Sequence, residues 1–257
     1  MPSLLGKQIR LGRLFKESRR LFAVPLDHGV TLGPVEGLED ARPVIEAVAR
    51  GGADAVIVHK GLARQLDCLA KTRGTCELIL HLSASTVLGP DPNHKELVAG
   101  VERAVQLGAT AVSAQVNLGG AAEPLMLKDL GLLAEACEHW GMPLLAMMYV
   151  RDGTKESEFD PVKVGHAARV AEELGADIIK VNYTGSIESF ARITRAVRAP
   201  VIIAGGPKMD SKAQLLAMVK DAVRAGAGGV AIGRNLFQAA DPARLAAEIR
   251  RVLDGAV

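Results

Sequence analysis

PVKVGHAARVAEELGADIIKVNYTG, residues 161–185, holds one complete unit of the fold. Residues 161–174 carry apolar side chains at helical spacing, Gly175 supplies a left-handed stop, and ADIIKVNY then runs as a short β-branched strand. The same sentence recurs along the chain. Gly-Ala or Gly-Met-Pro opens the next strand in GADAV, GATAV, GMPLL, GADII and GAGGV. Strands are expected at 21–28, 53–60, 76–83, 111–118, 143–150, 177–183, 200–206 and 228–234, eight in all. Helices are expected in ELVAGVERAVQLG, LKDLGLLAEACEHWG, PVKVGHAARVAEELG, KAQLLAMVKDAVRAG and PARLAAEIRRVLDG. Alternation of this kind makes a parallel sheet with crossover helices. No linker or low-complexity tract divides the chain, so a single α/β domain is expected over 1–257.

Eight units in 257 residues suit a closed (β/α)8 TIM barrel, a fold of about 250 residues. The rival is an open doubly wound sheet. Its G-x-G-x-x-G fingerprint after the first strand is missing, since DHGVTLGP has two glycines at the wrong spacing.

Composition removes several classes. There are 31 Lys and Arg against 29 Asp and Glu, so no basic footprint for nucleic acid exists, and eight aromatics leave little for base stacking. No apolar run reaches the roughly 18 residues of a membrane span, and the basic N-terminal stretch lacks the apolar core of a secretory signal. Cys68, Cys76 and Cys137 are odd in number and lack metal-ligand spacing, which fits inert thiols in a reducing cytoplasm.

In such a barrel the chemistry sits at the carboxyl ends of the strands. Those ends read Asp27 and His28; His59 and Lys60; His81 and Ser83; Gln115 and Asn117; Tyr149 and Arg151; Lys180 and Asn182; Gly205 and Gly206; Gly233 and Arg234. The amino ends are almost all apolar. One polar mouth implies catalysis or small-molecule binding.

Lys180 lies among Ile178, Ile179 and Val181. Burial there disfavours an ammonium and yields an amine able to form a Schiff base; a snorkelling or ion-paired lysine is the simpler reading. Tyr149 is a candidate proton donor and acceptor, with core filler as its alternative, and Asp27 a second, with a turn residue or helix cap as its own. The chain's two tyrosines, Tyr149 and Tyr183, both fall at strand ends. Loops after strands seven and eight often bind phosphate, and Gly205, Gly206 and Gly233 permit close backbone approach with Arg234 as counter-charge. His28, His59 and His81 offer hydrogen bonds to substrate, or else a zinc tripod and a metal-dependent aldolase. A non-catalytic barrel that binds a phosphorylated metabolite also stays open.

PLDHG (25–29), HKG (59–61), HLS (81–83), HWGMPLLAMMY (139–149), ADIIKVNYTG (176–185), AGGPK (204–208) and GRNLFQ (233–238) together resemble the archaeal-type class I aldolases. The resemblance covers nearly the whole chain. It implies Lys180 as the Schiff-base lysine, Tyr149 and Asp27 as acid/base groups, and the AGG and GR loops as phosphate site. It also implies no metal or other cofactor, and a homo-oligomer, often a ring-like decamer. Fructose-bisphosphate aldolases of the family typically carry a tyrosine before the Asp-His pair and a lysine two residues after the Schiff-base lysine. Here Leu26 and Asn182 stand instead, which favours the family's synthase branch.

That branch joins a ketose-phosphate-derived unit, from dihydroxyacetone phosphate or a deoxyketohexose phosphate, to aspartate semialdehyde. The product is a seven-carbon amino-keto sugar acid for aromatic biosynthesis. Two departures touch the mouth. Gln115 replaces the synthases' strand-four histidine, and Tyr149-Val150-Arg151-Asp152-Gly153 replaces Tyr-Pro-Arg-Gly, adding a carboxylate.

Overall fold

The computed structural model describes residues 4–16, 20–71 and 75–255. Eight parallel strands close a barrel: β1 (Leu21–Pro25), β2 (Ala55–Val58), β3 (Glu77–His81), β4 (Ala111–Leu118), β5 (Leu144–Val150), β6 (Ile178–Val181), β7 (Val201–Ala204) and β8 (Gly229–Ala231). Each strand pairs with its neighbours in sequence, and β8 closes on β1. Closure depends on Gly229. Its φ is 150°, and a Cβ there would stand 2.1 Å from the Leu21 carbonyl oxygen, so a side chain would wedge the last strand off the first.

Most strands are shorter than their apolar runs, because the chain turns over the rim once the hydrophobic layer is complete. His28 opens a helix (His28–Leu32), Lys60 another (Lys60–Ala63), and Arg234 a third (Arg234–Phe237). The helix expected across 96–108 forms only at Val101–Gln106. Glu96–Leu97 pairs instead with Ser83–Ala84 in an antiparallel ribbon beyond β3. Helices Glu123–Trp140, Pro161–Glu173, Lys212–Arg224 and Pro242–Leu253 fall where periodicity places them.

Strand side chains alternate between two cores. Phe22, Val24, Val56, Leu80, Val112, Ile179 and Ile203 face the helices, whereas Leu21, Ala23, Ile57, Ile79, Leu145, Met147, Ile178 and Ile202 fill the barrel. The helix Leu4–Phe15 crosses the amino ends of the strands and stops that end. Leu14 is wholly buried in the barrel core, with Leu11 and Phe15 beside it. Lys7 pairs with Asp177 at 3.0 Å, Lys16 with Asp54 at 2.9 Å, and Arg10 donates to the Gly141 carbonyl at 3.1 Å. Asp54 also accepts from Arg250 at 3.0 Å and from the Phe22 amide at 2.8 Å.

All three cysteines are buried, and burial pushes the Cys76 and Cys137 thiols up to about 12. Among the described residues no helix is long and apolar enough to cross a membrane.

Candidate active site

The opposite end of the barrel opens into a cavity of about 370 Å³. The two-residue strand period explains much of its lining. Lys180 follows Ile178 on the inward face of β6, Tyr149 follows Met147 on β5, and His59 and His81 follow Ile57 and Ile79. Lys180 faces Met147 across one ladder and Ile202 across the other. It is 6% exposed, and its Nζ lies 3.6 Å from the Met147 sulfur and 5.8 Å from the centroid of the Tyr149 ring. Among the described residues no carboxylate forms an ion pair with it.

Asp27, just beyond β1, lies between two imidazoles. Its oxygens are 3.6 Å from His28 Nδ1 and 3.6 Å from His81 Nε2. His81 Nδ1 is 2.8 Å from Ser113 Oγ, and the His59 ring meets the His81 ring edge-on at 5.1 Å. Burial lowers all three histidines, His81 to about 4. Burial works against the Asp27 charge, but His81, His28, Lys180 and His59 outweigh it and hold the carboxyl below its usual range. A carboxylate set beside these imidazoles can accept and return a proton. The three histidines thus converge on Asp27. Among the described residues no group of three or more His, Cys, Asp or Glu side chains is disposed to hold a metal.

Gly205, Gly206, Gly233 and Arg234 meet on the β7–β8 side of the cavity. Gly233 runs so close to β1 that a Cβ would stand 2.6 Å from the Pro25 carbonyl oxygen. Arg234 Nη2 donates to the Gly206 carbonyl at 3.3 Å, while its buried Nε has no partner among the described residues. Behind them the buried Asn235 amide donates to the carbonyls of Gly205 and Pro207 at 3.1 and 3.0 Å and accepts from the Met209 amide at 2.8 Å. Arg151 stacks 5.4 Å over Tyr149 and pairs with Glu158, whose carbonyl accepts from Asn182 at 3.1 Å. Ser83 lines the wall and accepts from the Gln115 amide at 2.8 Å.

Three expectations need correction. Lys60 does not line the cavity: it shares the outward parity of Val58 and donates to the Val98 carbonyl in the ribbon. Tyr183, with the outward parity of Val181, packs on Phe190 at 5.4 Å under the helices, so Tyr149 alone of the tyrosines reaches the mouth. Asp152 turns away to Lys163. The cation that does enter near the ribbon is Lys95, which in the sequence stands immediately before a segment that reads as helix.

A barrel with one open mouth that gathers a buried amine, a phenol and a carboxylate has the constitution of a class I aldolase, which works through a lysine Schiff base. The DeoC/LacD family aldolase description matches residues 21–239, and the chain belongs to that family. It is 46% identical over 242 residues, 94% of this chain and 88% of the other, to a 2-amino-4,5-dihydroxy-6-oxo-7-(phosphonooxy)heptanoate synthase from Streptomyces griseus. It is 44% identical over 255 residues, 98% and 92% of the two chains, to 2-amino-3,7-dideoxy-D-threo-hept-6-ulosonate synthase 1 from Archaeoglobus fulgidus. A solved archaeal fructose-1,6-bisphosphate aldolase, its catalytic lysine covalently bound to the carbinolamine intermediate of the substrate, superposes with a TM-score of 0.88. That likeness is at 28% identity and covers 96% of this chain and 99% of the other.

Proposed function

We propose that Lys180 condenses with the ketone of a ketose phosphate and that the resulting enamine adds to aspartate semialdehyde. The observation that carries this is the setting of the Lys180 amine, buried in the cavity beside a thioether and, among the described residues, without an ion-pair partner. Attack on the carbonyl carbon, with protons supplied to the departing oxygen, releases water and leaves an iminium. Loss of a proton from the adjacent hydroxymethyl carbon gives the enamine, whose carbon bonds to the aldehyde carbon. The new alkoxide takes a proton, and water then hydrolyses the iminium to return the amine. Tyr149, whose ring lies 5.8 Å from the amine, serves the carbonyl and aldehyde oxygens. Asp27, held ionised, is placed for the carbon-bound proton. The glycine loops and Arg234 hold the donor's phosphate. With a deoxyketohexose phosphate as donor, the same lysine first cleaves the sugar by a retro-aldol step, in which a hydroxyl loses its proton, the remaining three carbons leave as an aldehyde and the three-carbon enamine stays on the lysine.

The Streptomyces griseus relative's name supports the choice of substrates. Cutting its seven-carbon chain between carbons 4 and 5 gives a 2-amino-4-oxo acid and a three-carbon ketose phosphate. A homo-oligomer in the cytoplasm completes the reading, supported by the family resemblance.

Borohydride reduction in the presence of dihydroxyacetone phosphate tests the assignment. The ligand should be fixed to the Lys180 peptide by mass spectrometry. An adduct on Lys95, the other lysine of the cavity, or none with either donor, overturns it.

A further inference from the structure

The cavity has a second cationic pole, assigned to no role above. Lys95 stands at the ribbon beyond β3, beside β4, whereas Arg234 and the glycine loops stand over β7 and β8. In the closed ring of eight those positions lie half a circumference apart. The two poles therefore face each other across the mouth, with Lys180 on β6 and Asp27 after β1 on the two sides between them.

Lys95 is fixed as a binding group is. It is 7% exposed, so it does not snorkel into open water. Its amide donates to the Met126 sulfur at 3.4 Å, and its Nζ donates to Ser85 Oγ at 2.5 Å. Ser85 Oγ in turn donates to the Pro92 carbonyl at 2.6 Å. Two residues back, the Asn93 carbonyl accepts from Asn117 at 2.6 Å, and Asn117 accepts from Gln115 at 2.9 Å, which ties the segment to β4. Among the described residues Lys95 forms no ion pair. Burial lowers its pKa, Arg151 acting in the same direction and Asp27 and Asp91 only partly opposing it. Arg151, the other cation on this side, has its charge met by Glu158. A buried ammonium with one hydroxyl for company is costly unless an anion arrives.

We infer that Lys95 selects the acceptor, receiving the carboxylate of an anionic aldehyde opposite the pole that holds the donor's phosphate. The inference rests on the function proposed above. One ammonium beside one hydroxyl matches a singly charged carboxylate. The opposite pole, with a guanidinium and approachable glycine backbone, matches a phosphate.

The test uses the donor that is trapped on Lys180 and three acceptors: succinate semialdehyde, which keeps the carboxylate without the amine, butanal, and glyceraldehyde 3-phosphate. In the unaltered protein succinate semialdehyde should compete with aspartate semialdehyde and butanal should not. In Lys95→Met the ratio of kcat/KM for carboxylate acceptor over butanal should fall roughly 10- to 100-fold, the loss of one charge-assisted hydrogen bond, with the KM for donor unmoved. Lys95→Arg should recover part of the ratio.

An equal fall for both acceptors means a structural lysine and overturns the inference. So does failure of succinate semialdehyde to compete, a result that needs no variant to fold. A preference for glyceraldehyde 3-phosphate that vanishes in Lys95→Met also overturns it and puts a phosphate at this pole. Absence of the Lys180 adduct in the unaltered protein defeats the proposed function instead, so the two failures are distinct.

Discussion

Oδ2 of Asp27 lies 3.6 Å from Nε2 of His81, and the ring's other nitrogen is 2.8 Å from the Ser113 hydroxyl. Burial keeps this imidazole neutral at pH 7, with its pKa lowered from 6.5 to about 4. An unfolded histidine binds its proton near 6.5, so the unfolded chain holds more protons between the two values. The stabilisation is complete above about 6.5 and drains away as pH falls toward 4. Asp27, itself lowered, then adds to the loss below 3.8. At about 1.4 kcal/mol per pH unit the histidine contributes on the order of 3 kcal/mol. Urea midpoints taken from pH 7 to pH 4 should fall, and the fall should flatten in His81→Asn. An unchanged slope in that variant places the effect elsewhere.

Removing the Tyr149 hydroxyl tests its part in proton transfer. Tyr149→Phe keeps the ring on which Arg151 stacks, and the loss of one general acid/base is expected to lower kcat by roughly 10²- to 10⁴-fold. Borohydride should still trap donor on Lys180, but more slowly, because the phenol also serves the departing carbonyl oxygen. Wild-type kcat in this variant would return the ring to the role of packing.

Arg234 carries charge into the glycine-lined pole, and among the described residues its buried Nε has no hydrogen-bond partner. Arg234→Gln is expected to raise the KM for a phosphorylated donor by roughly 10- to 100-fold. Dihydroxyacetone, lacking the phosphate, should be little affected. Equal losses for both donors would mean that the loop has been displaced rather than discharged.

At the stoppered end, Asp54 is almost wholly buried between Arg250, Lys16 and the Phe22 amide. Asp54→Ala removes one of the two carboxylates that face the Arg250 guanidinium, leaving Asp254 at 2.7 Å as the other, and it frees Lys16 and the Phe22 amide, at a cost of up to about 3–5 kcal/mol. The urea midpoint should drop at pH 7 while kcat of the protein still folded changes little. A drop below about 1 kcal/mol would show that water relieves Arg250 instead.

The sequence carries the barrel because every βα unit repeats the same local grammar, a glycine stop followed by a short β-branched run. It carries the centre of the site because Lys180, Tyr149, His59 and His81 each sit two residues beyond an apolar residue of the barrel interior. The same parity rule excludes Lys60 and Tyr183, which follow Val58 and Val181 on the helix-facing side. Reading strand ends without that rule admits them. His28 and Arg234 break parity and still line the cavity, since each begins a helix that rotates the chain inward. Lys95 is the residue that local patterning hides. Glu96 and Leu97 fit a helical period, but pairing with Ser83–Ala84 draws them into a ribbon, and only that long-range contact swings Lys95 over the mouth.

The helix Leu4–Phe15, by corking the far end with Leu14, makes the barrel a cul-de-sac. Everything that reacts must enter and leave through one doorway, so the order of traffic is set by depth. The ketose has to reach the floor amine before the aldehyde arrives, because an aldehyde seated first at the rim would stand in its path. The finished seven-carbon chain, bonded at the bottom, must be cut free before another ketose can descend.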